Sequence, residues 1–123
     1  MPYINPSNQQ LEALGQMPDN GPFVMINLLK FKSDGGSGKY GQYSRRVIPI
    51  LERIGARVIY YGKGVMTFIG DDTWDKFLLV EYPSKASFVT MLSDREYQQA
   101  VHFRTEALSD SRLYITTSIK TFH

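Results

Sequence analysis

The chain of 123 residues contains no cysteine. Without thiols it can form no disulfide, thiolate nucleophile, iron–sulfur cluster or cysteine-ligated zinc site. It has only two histidines, and no spacing of histidine and acidic residues resembles a two-histidine-one-carboxylate or zinc motif. We therefore expect no metal site.

Long apolar runs and a strong charge of one sign are also missing. The longest apolar run, Phe23 to Leu29, contains Asn27 and is too short to span a bilayer. The N-terminal residues include no basic region followed by an apolar core, which argues against a secretory signal. The net charge is +2, with basic and acidic residues interspersed. We expect a cytoplasmic protein that binds neither membranes nor nucleic acid.

What the chain does contain is enough apolar surface for one packed domain, because 42% of its residues are hydrophobic and 13% are aromatic. Ser7 and Gln10 stand at capping-box spacing and predict a short helix, which the segment from Pro18 to Pro22 ends. We therefore divide the chain into an N-terminal helical extension, residues 1–20, and one domain, residues 21–123.

Hydrophobic periodicity predicts the elements of this domain. Strands are expected at Phe23–Lys32, Ala56–Tyr61, Trp74–Tyr82 and Arg112–Lys120, with Val65–Ile69 continuing the second strand or pairing with it, and helices at Tyr40–Ile54 and Ser84–Leu108, the latter broken near Ser93–Asp94. The order predicts an α+β protein with a ferredoxin-like split βαβ arrangement, in which both long helices cover one face of an antiparallel sheet.

A glycine-rich segment, Ser33 to Lys39, separates the first strand from the first long helix. The phosphate-loop motif G-x-x-x-x-G-K-S/T would need glycine at Ser33 and serine or threonine at Tyr40, and it fails at both positions. We interpret the segment as a mobile linker, with a flap over a site as the alternative.

The predicted strands are apolar on both faces. In the first strand Phe23, Met25 and Leu29 lie on one face, and Val24 and Ile26 lie on the other. Two helices can bury only one face of the sheet. We expect the other face to form a homodimer by sheet-to-sheet packing, with coverage by the N-terminal helix as the alternative.

Arg104 lies on the apolar face of the last helix, whereas His102 lies well off that face. An arginine aimed at the sheet needs partners, because an unpaired buried charge is costly. Either it pairs with a carboxylate such as Glu81 or with carbonyls at the helix end, or it projects into a cavity and binds an anionic ligand group. His102 is expected at the rim, as an exposed residue or as an acid–base group.

Four further polar residues belong to elements that border the same helix–sheet space. Asn27 is an amide within an apolar strand, Glu81 is flanked by apolar residues, and Tyr40 and Tyr43 lie on the sheet-facing stripe of the first long helix. Each is typical of a satisfied core polar group, but together they could orient a small oxygenated molecule. A carboxylate in an apolar setting could act as a general base. The face on which Asn27 and Glu81 lie stays open at this stage.

Four segments together carry a family resemblance: VMINLLKFK, LLVEYPSKASFVTML, DREYQQA and HFRTEALSDSRL, all lying between Val24 and Leu113. They resemble the DUF1330 family of the dimeric α+β barrel superfamily, from about Gly21 to Thr117. The resemblance implies a ferredoxin-like protomer that dimerises. Haem-degrading members of the superfamily carry a tryptophan on the third strand and a histidine on the last helix, where this chain has Tyr82 and Val101. We therefore expect no cofactor.

Two functions are consistent with these features. The first is a cofactor-free enzyme that acts on a small oxygenated or aromatic acid, with Arg104 holding the anion, Glu81 or His102 moving a proton, and Asn27, Tyr40 and Tyr43 orienting the substrate. The second is a non-catalytic dimer that binds a small molecule, or a structural protein in which Arg104 and Glu81 form an internal clamp.

Overall fold

The protein, described here by a computed structural model over residues 2–119, has the predicted ferredoxin-like fold. Its elements are α1 (Asn8–Gln16), β1 (Phe23–Phe31), α2 (Gly36–Arg53), β2 (Arg57–Lys63), β3 (Lys76–Tyr82), α3 (Lys85–Ser93), α4 (Arg95–Ala107) and β4 (Leu108–Thr116). The strands form one antiparallel sheet in the order β2-β3-β1-β4. Within residues 2–119, no helix has the length and apolarity needed to cross a membrane.

The two faces of the sheet differ in burial, as the pattern of β1 predicts. Phe23, Met25, Asn27 and Leu29 are buried on the face covered by the helices, and the residues between them are only partly buried. We call the first the inner face and the second the outer face. Residues paired directly across antiparallel strands point to the same side of the sheet. The register with β1 therefore assigns the paired residues of the other three strands to the inner or the outer face.

The helices follow the predicted apolar stripes. The buried residues of α2 include Tyr40, Tyr43, Val47 and Ile50, and exposed Pro49 lies within the helix without ending it. The predicted break between α3 and α4 is confirmed at Asp94, whose carboxylate accepts hydrogen bonds from the amides of Glu96 and Tyr97 and so starts a new helix.

The prediction of a loop over Ser33–Lys39 holds for residues 33–35, which form a turn, and is wrong from Gly36 onward, where α2 begins. A Cβ atom added to Gly36 would lie 2.5 Å from the backbone oxygen of Ala107, at the end of α4. Gly35 takes the positive φ of 78° that starts the helix. The glycines therefore let the first turn of α2 pack against the end of α4.

The sequence interpretation of β2 and of the segment after it needs two corrections. The register shifts between Val58 and Tyr60, so a bulge at Ile59 places both Val58 and Tyr61 on the inner face, opposite Val80 and Leu78. Regular alternation had predicted opposite faces for Val58 and Tyr61. Residues 65–69 form no strand and lie exposed in the loop before β3, which begins at Lys76, after Trp74.

The last strand begins at Leu108, four residues before the predicted start, so the polar segment from Ser109 to Ser111 lies within the sheet. Pairing with β1 explains this, because the backbone groups of a strand are satisfied by its neighbour whatever the side chains. The strand ends at Thr116, so the prediction that it continues to Lys120, itself outside the described residues, is wrong for residues 117–119.

The N-terminal extension packs on the helix side of the sheet, not on its outer face. Ser7 and Gln10 form the predicted capping box of α1. Leu14 packs against the core, and the ammonium group of Lys85, at the start of α3, donates to the carbonyls of Gly15 and Met17. The alternative in which α1 covers the outer face is therefore wrong.

Candidate functional site

The space between the helices and the sheet contains a cavity of about 1090 Å³. Its floor is the inner face of the sheet, from Val58 and Tyr61 on β2 to Leu113 and Ile115 on β4. The helices α2, α3 and α4 form walls of the cavity, and the N-terminal segment together with α1 forms a further wall. This volume lies just above the usual range of about 300–1,000 Å³ for small-molecule sites.

The charge of the cavity lining is entirely basic. Among the described residues, its lining includes no aspartate, glutamate, lysine or histidine, and its charged members are Arg104 and Arg112. Arg112 already pairs with Asp110, at 2.6 Å between Nη1 and Oδ1. Arg104 is therefore the charged group of the lining that lacks a counterion.

Arg104 is buried, with 7% of its surface exposed. Its Nη1 atom donates to the backbone carbonyl oxygen of Ile4 at 2.6 Å, and within residues 2–119 it forms no ion pair. A guanidinium carries five N–H donors. Every fully enclosed polar side-chain atom of the described residues has a hydrogen-bond partner, so the unused donors of Arg104 must reach accessible space. That space is the cavity.

Asn27 is the second underused polar group, with 8% of its surface exposed. Its amide nitrogen donates to the carbonyls of Met25 at 3.2 Å and Leu78 at 3.1 Å. Among the described residues no donor reaches its amide oxygen, which is not fully enclosed either. The sequence left the face of Asn27 open, and the structure places Asn27 on the inner face, so among the described residues this oxygen is a free acceptor in the cavity.

Tyr40 and Tyr43 lie in the same cavity, as predicted from the stripe of α2. The hydroxyls of Tyr43 and Tyr97 are 3.0 Å apart and share a hydrogen bond, which leaves one of the two protons available for another acceptor. The Tyr40 hydroxyl has no partner among the described residues. Burial raises the pKa of Tyr40 and of Tyr43, although nearby Arg104 lowers it in part. Both phenols therefore stay neutral, and each keeps its proton.

Glu81 lies on the outer face, and its predicted pairing with Arg104 is wrong. It is directly opposite Val24 in the sheet, with the side chains that point away from the helices. Its carboxylate accepts a hydrogen bond from Nε of Arg57 at 2.8 Å. A carboxylate on that face can neither neutralise Arg104 nor act as a base in the cavity.

His102 lies outside the cavity on the exposed side of α4, where the helical phase placed it. Its Nδ1 is 2.9 Å from a carboxylate oxygen of Glu106, and its ring lies next to that of Phe103, tilted by 34°. Hydrogen bonds from Lys39 and His102 lower the pKa of Glu106 to about 2. This exposed ion-pair group is typical of a helix surface and leaves His102 without access to the cavity.

Sequence reasoning missed two parts of the site. Tyr97 shares the inward face of α4 with Arg104, but its hydrogen bond to Tyr43 depends on how the two helices pack. The N-terminal segment is fixed beside the cavity by backbone contacts: the Ser111 hydroxyl donates to the carbonyl of Tyr3 at 2.6 Å, and Arg104 holds Ile4. Every residue has a backbone carbonyl, so no sequence pattern could have predicted which carbonyls Arg104 and Ser111 contact.

The described residues offer no ligand set for a metal. Within residues 2–119, no group of three or more histidine, aspartate or glutamate side chains is close enough to hold an ion. The donors that converge on the cavity are instead a guanidinium, phenols and an amide, which recognise organic oxygen atoms.

Comparisons with known proteins agree with the fold. Residues 29–118 match the model of DUF1330, a domain of unknown function. The RPA0582 protein of unknown function from Rhodopseudomonas palustris is 32% identical, with a TM-score of 0.91, and the alignment covers 98% of this chain and 100% of that one. No curated protein matches the chain significantly.

More distant solved structures share the fold alone. A dimeric ferredoxin-like protein of unknown function from Jannaschia sp. CCS1 is 9% identical, with a TM-score of 0.64 over 80% of this chain and 100% of that one. A dimeric protein of unknown function with a ferredoxin-like fold from Bacteroides fragilis is 15% identical, with a TM-score of 0.56 over 76% and 93% of the two chains.

Proposed function

This protein belongs to the DUF1330 family, and on that premise we propose that it binds a small organic anion in the cavity between its helices and its sheet. The observation that carries the proposal is the state of Arg104: a buried guanidinium with one backbone partner and unused donors in the cavity. A carboxylate is the ligand group that best fits such donors, because it can accept two hydrogen bonds from one guanidinium.

The rest of the cavity supports an apolar body for this ligand. Aromatic and aliphatic side chains dominate the lining, among them Met25, Val80, Phe88 and Met91. An organic acid would place its charge on Arg104 and bury its hydrocarbon part against these residues. Burial of apolar surface contributes about 25 cal/mol per Å², so the two ends of the ligand would add to the affinity.

Binding is favoured over acid–base catalysis by the placement of the two predicted proton carriers. Glu81 is on the outer face with Arg57, and His102 is on the solvent side of α4 with Glu106. The cavity itself offers neutral phenols, an amide and an arginine. These groups hold an anion well, but none of them is a base at neutral pH.

We further propose that the protein is a homodimer formed through the outer face. Support comes from the apolar side chains that this face presents to solvent, including Ile26, Leu79 and the exposed Tyr60 and Tyr114. The distant relatives from Jannaschia and Bacteroides fragilis are described as dimeric. Uncovered apolar patches of this kind are typical of interfaces.

The anion proposal is tested by calorimetric titration with a panel of carboxylates, benzoate and cinnamate among them, and with their neutral amides. We expect the acids to bind at least about tenfold more tightly than the amides, because a charged hydrogen bond is worth about 1.5–3 kcal/mol. Arg104→Met keeps the unbranched apolar stem of the side chain but removes the guanidinium, so this variant should lose the preference. Its melting temperature should fall only slightly, because the guanidinium has no carboxylate partner among the described residues and the variant loses a single hydrogen bond, to the carbonyl of Ile4.

Arg45→Met is the matched control, because Arg45 is exposed on α2 and the change removes the same charge. It should retain the preference for acids. Equal affinity of the wild-type protein for acids and amides would contradict the proposal. So would an Arg104→Met protein that loses only stability and keeps its preference for acids.

A further inference from the structure

We infer that the natural ligand is a hydroxy acid, whose carboxylate contacts Arg104 and whose hydroxyl donates a hydrogen bond to Oδ1 of Asn27. This inference rests on the proposed function and names the class of its ligand. Two buried polar side chains with incomplete hydrogen bonding support it: Arg104 has donors without acceptors, and Asn27 has an acceptor without a donor.

The orientation of the Asn27 amide is fixed by its surroundings. Both of its hydrogen bonds run to carbonyl oxygens, those of Met25 and Leu78. If the amide were rotated by 180°, its own oxygen would face two other oxygens without a proton between them. The nitrogen must therefore point at the strands, and the oxygen is left toward the cavity.

A free acceptor in a buried site selects for a donor on the ligand. A ligand without a donor would leave the Asn27 oxygen desolvated and unpaired, which is costly. The donor should be neutral, because the lining holds two arginines and, among the described residues, no carboxylate to balance a ligand ammonium. A hydroxyl can donate this hydrogen bond to the Asn27 oxygen without placing a second positive charge near the arginines.

The carboxylate has further donors on its side of the cavity. Tyr40 is close enough to Arg104 for the arginine to lower its pKa, and its hydroxyl has no partner among the described residues. The pair of Tyr43 and Tyr97 retains one more proton. A carboxylate on Arg104 can thus accept from phenols as well, while the hydroxyl of the ligand is left for Asn27.

The inference predicts a preference between matched acids that differ by one hydroxyl. We would titrate the wild-type protein with cinnamate, with its ortho-, meta- and para-hydroxy derivatives, and with the same series of benzoates. In at least one pair the hydroxylated acid should bind about tenfold more tightly than the parent, since one hydrogen bond in a buried site is worth up to about a factor of ten.

Asn27→Leu keeps the branched shape and the number of heavy atoms of the side chain and removes the acceptor. In this variant the preference for the hydroxylated acid should fall to about one, while the affinity for the parent acid should not fall, because no acceptor is left to be desolvated. Asn8→Leu is the matched control, because Asn8 is exposed on α1 and does not line the cavity. It should keep the full preference. A purely structural role of Asn27 would weaken the binding of both acids alike.

The outcomes separate this inference from the proposed function. Tight binding of the acids with no hydroxyl preference in any pair would overturn the hydroxy-acid inference and leave anion binding intact. If the acids bind no better than their amides, both would be overturned. The wild-type comparison decides between these outcomes even if Asn27→Leu does not fold.

Discussion

At the scale of single residues, the cavity contains hydrogen-bond donors and acceptors that have no partner among the described residues. Arg104 donates one hydrogen bond, to the backbone carbonyl of Ile4, and Asn27 forms hydrogen bonds only through its amide nitrogen. Polar groups in a finished core are normally satisfied on all sides. Where several buried groups in one cavity fall short together, a ligand that completes them is the simplest physical account.

The buried tyrosines predict a loss of stability at high pH. Burial raises the pKa of Tyr40, Tyr43 and Tyr82 above the ordinary value near 10. Their contribution to stability is therefore complete below pH 10 and is lost as the pH rises further, because the unfolded chain releases these protons more easily than the folded protein does. We expect the tyrosinate absorbance of these residues to stay low at the pH where accessible tyrosines ionise. It should rise only at higher pH, together with the loss of the circular dichroism signal.

The reference for this titration is the same protein in denaturant, where all eight tyrosines are accessible and should ionise together near pH 10. Tyr40→Phe should move the alkaline unfolding midpoint upward, because it removes one group that favours the unfolded chain. Coincident titration curves for the native and the denatured protein would contradict the prediction.

At the scale of elements, the contact between the start of α2 and the end of α4 decides the role of the glycine-rich segment. Gly36→Ala would bring a methyl group to 2.5 Å from the Ala107 oxygen. A backbone atom cannot move aside without shifting a helix. We expect a loss of about 1–3 kcal/mol in the free energy of unfolding, measured by denaturant titration.

Gly38→Ala is the matched control, because nothing lies within 4 Å of an added Cβ at this position in the same helix. It should raise the free energy of unfolding by about 0.5–1 kcal/mol, as alanine is the better helix former. Similar effects of the two substitutions would mean that the segment is the mobile linker predicted from the sequence.

At the scale of the whole molecule, the outer face of the sheet is the surface that a single chain leaves uncovered. Leu79 lies near its centre, opposite Ile26 on β1 and Tyr60 on β2. Light scattering should give twice the chain mass for the wild-type protein. Leu79→Glu should give the mass of one chain, because a carboxylate facing a second sheet would be desolvated without a partner.

Val89→Glu makes a similar change of charge at an exposed site on α3 and should leave the mass at twice that of the chain. Circular dichroism would verify that both variants are folded. A wild-type protein with the mass of one chain, or a Leu79→Glu protein that keeps the double mass, would rule out this interface.

Much of this architecture could be predicted because it depends on periodic patterns within short segments of the sequence. The helix stripe of Tyr40, Tyr43 and Val47 and the alternation of β1 are periodic in the sequence, and both are present in the structure. The inward direction of Arg104 followed from the same helical period. What local patterns could not supply was the bulge at Ile59, since a bulge depends on the register of two strands.

The sequence by itself determined the order of the elements, the apolar faces of the helices and the presence of a charged residue on one of them. Only the tertiary structure decided what that residue contacts. Glu81 was excluded by the register that turns it to the outer face, and Ile4, 100 residues away, supplies a backbone carbonyl instead. Periodicity fixes where a side chain points, but its partners depend on which distant segments pack beside it.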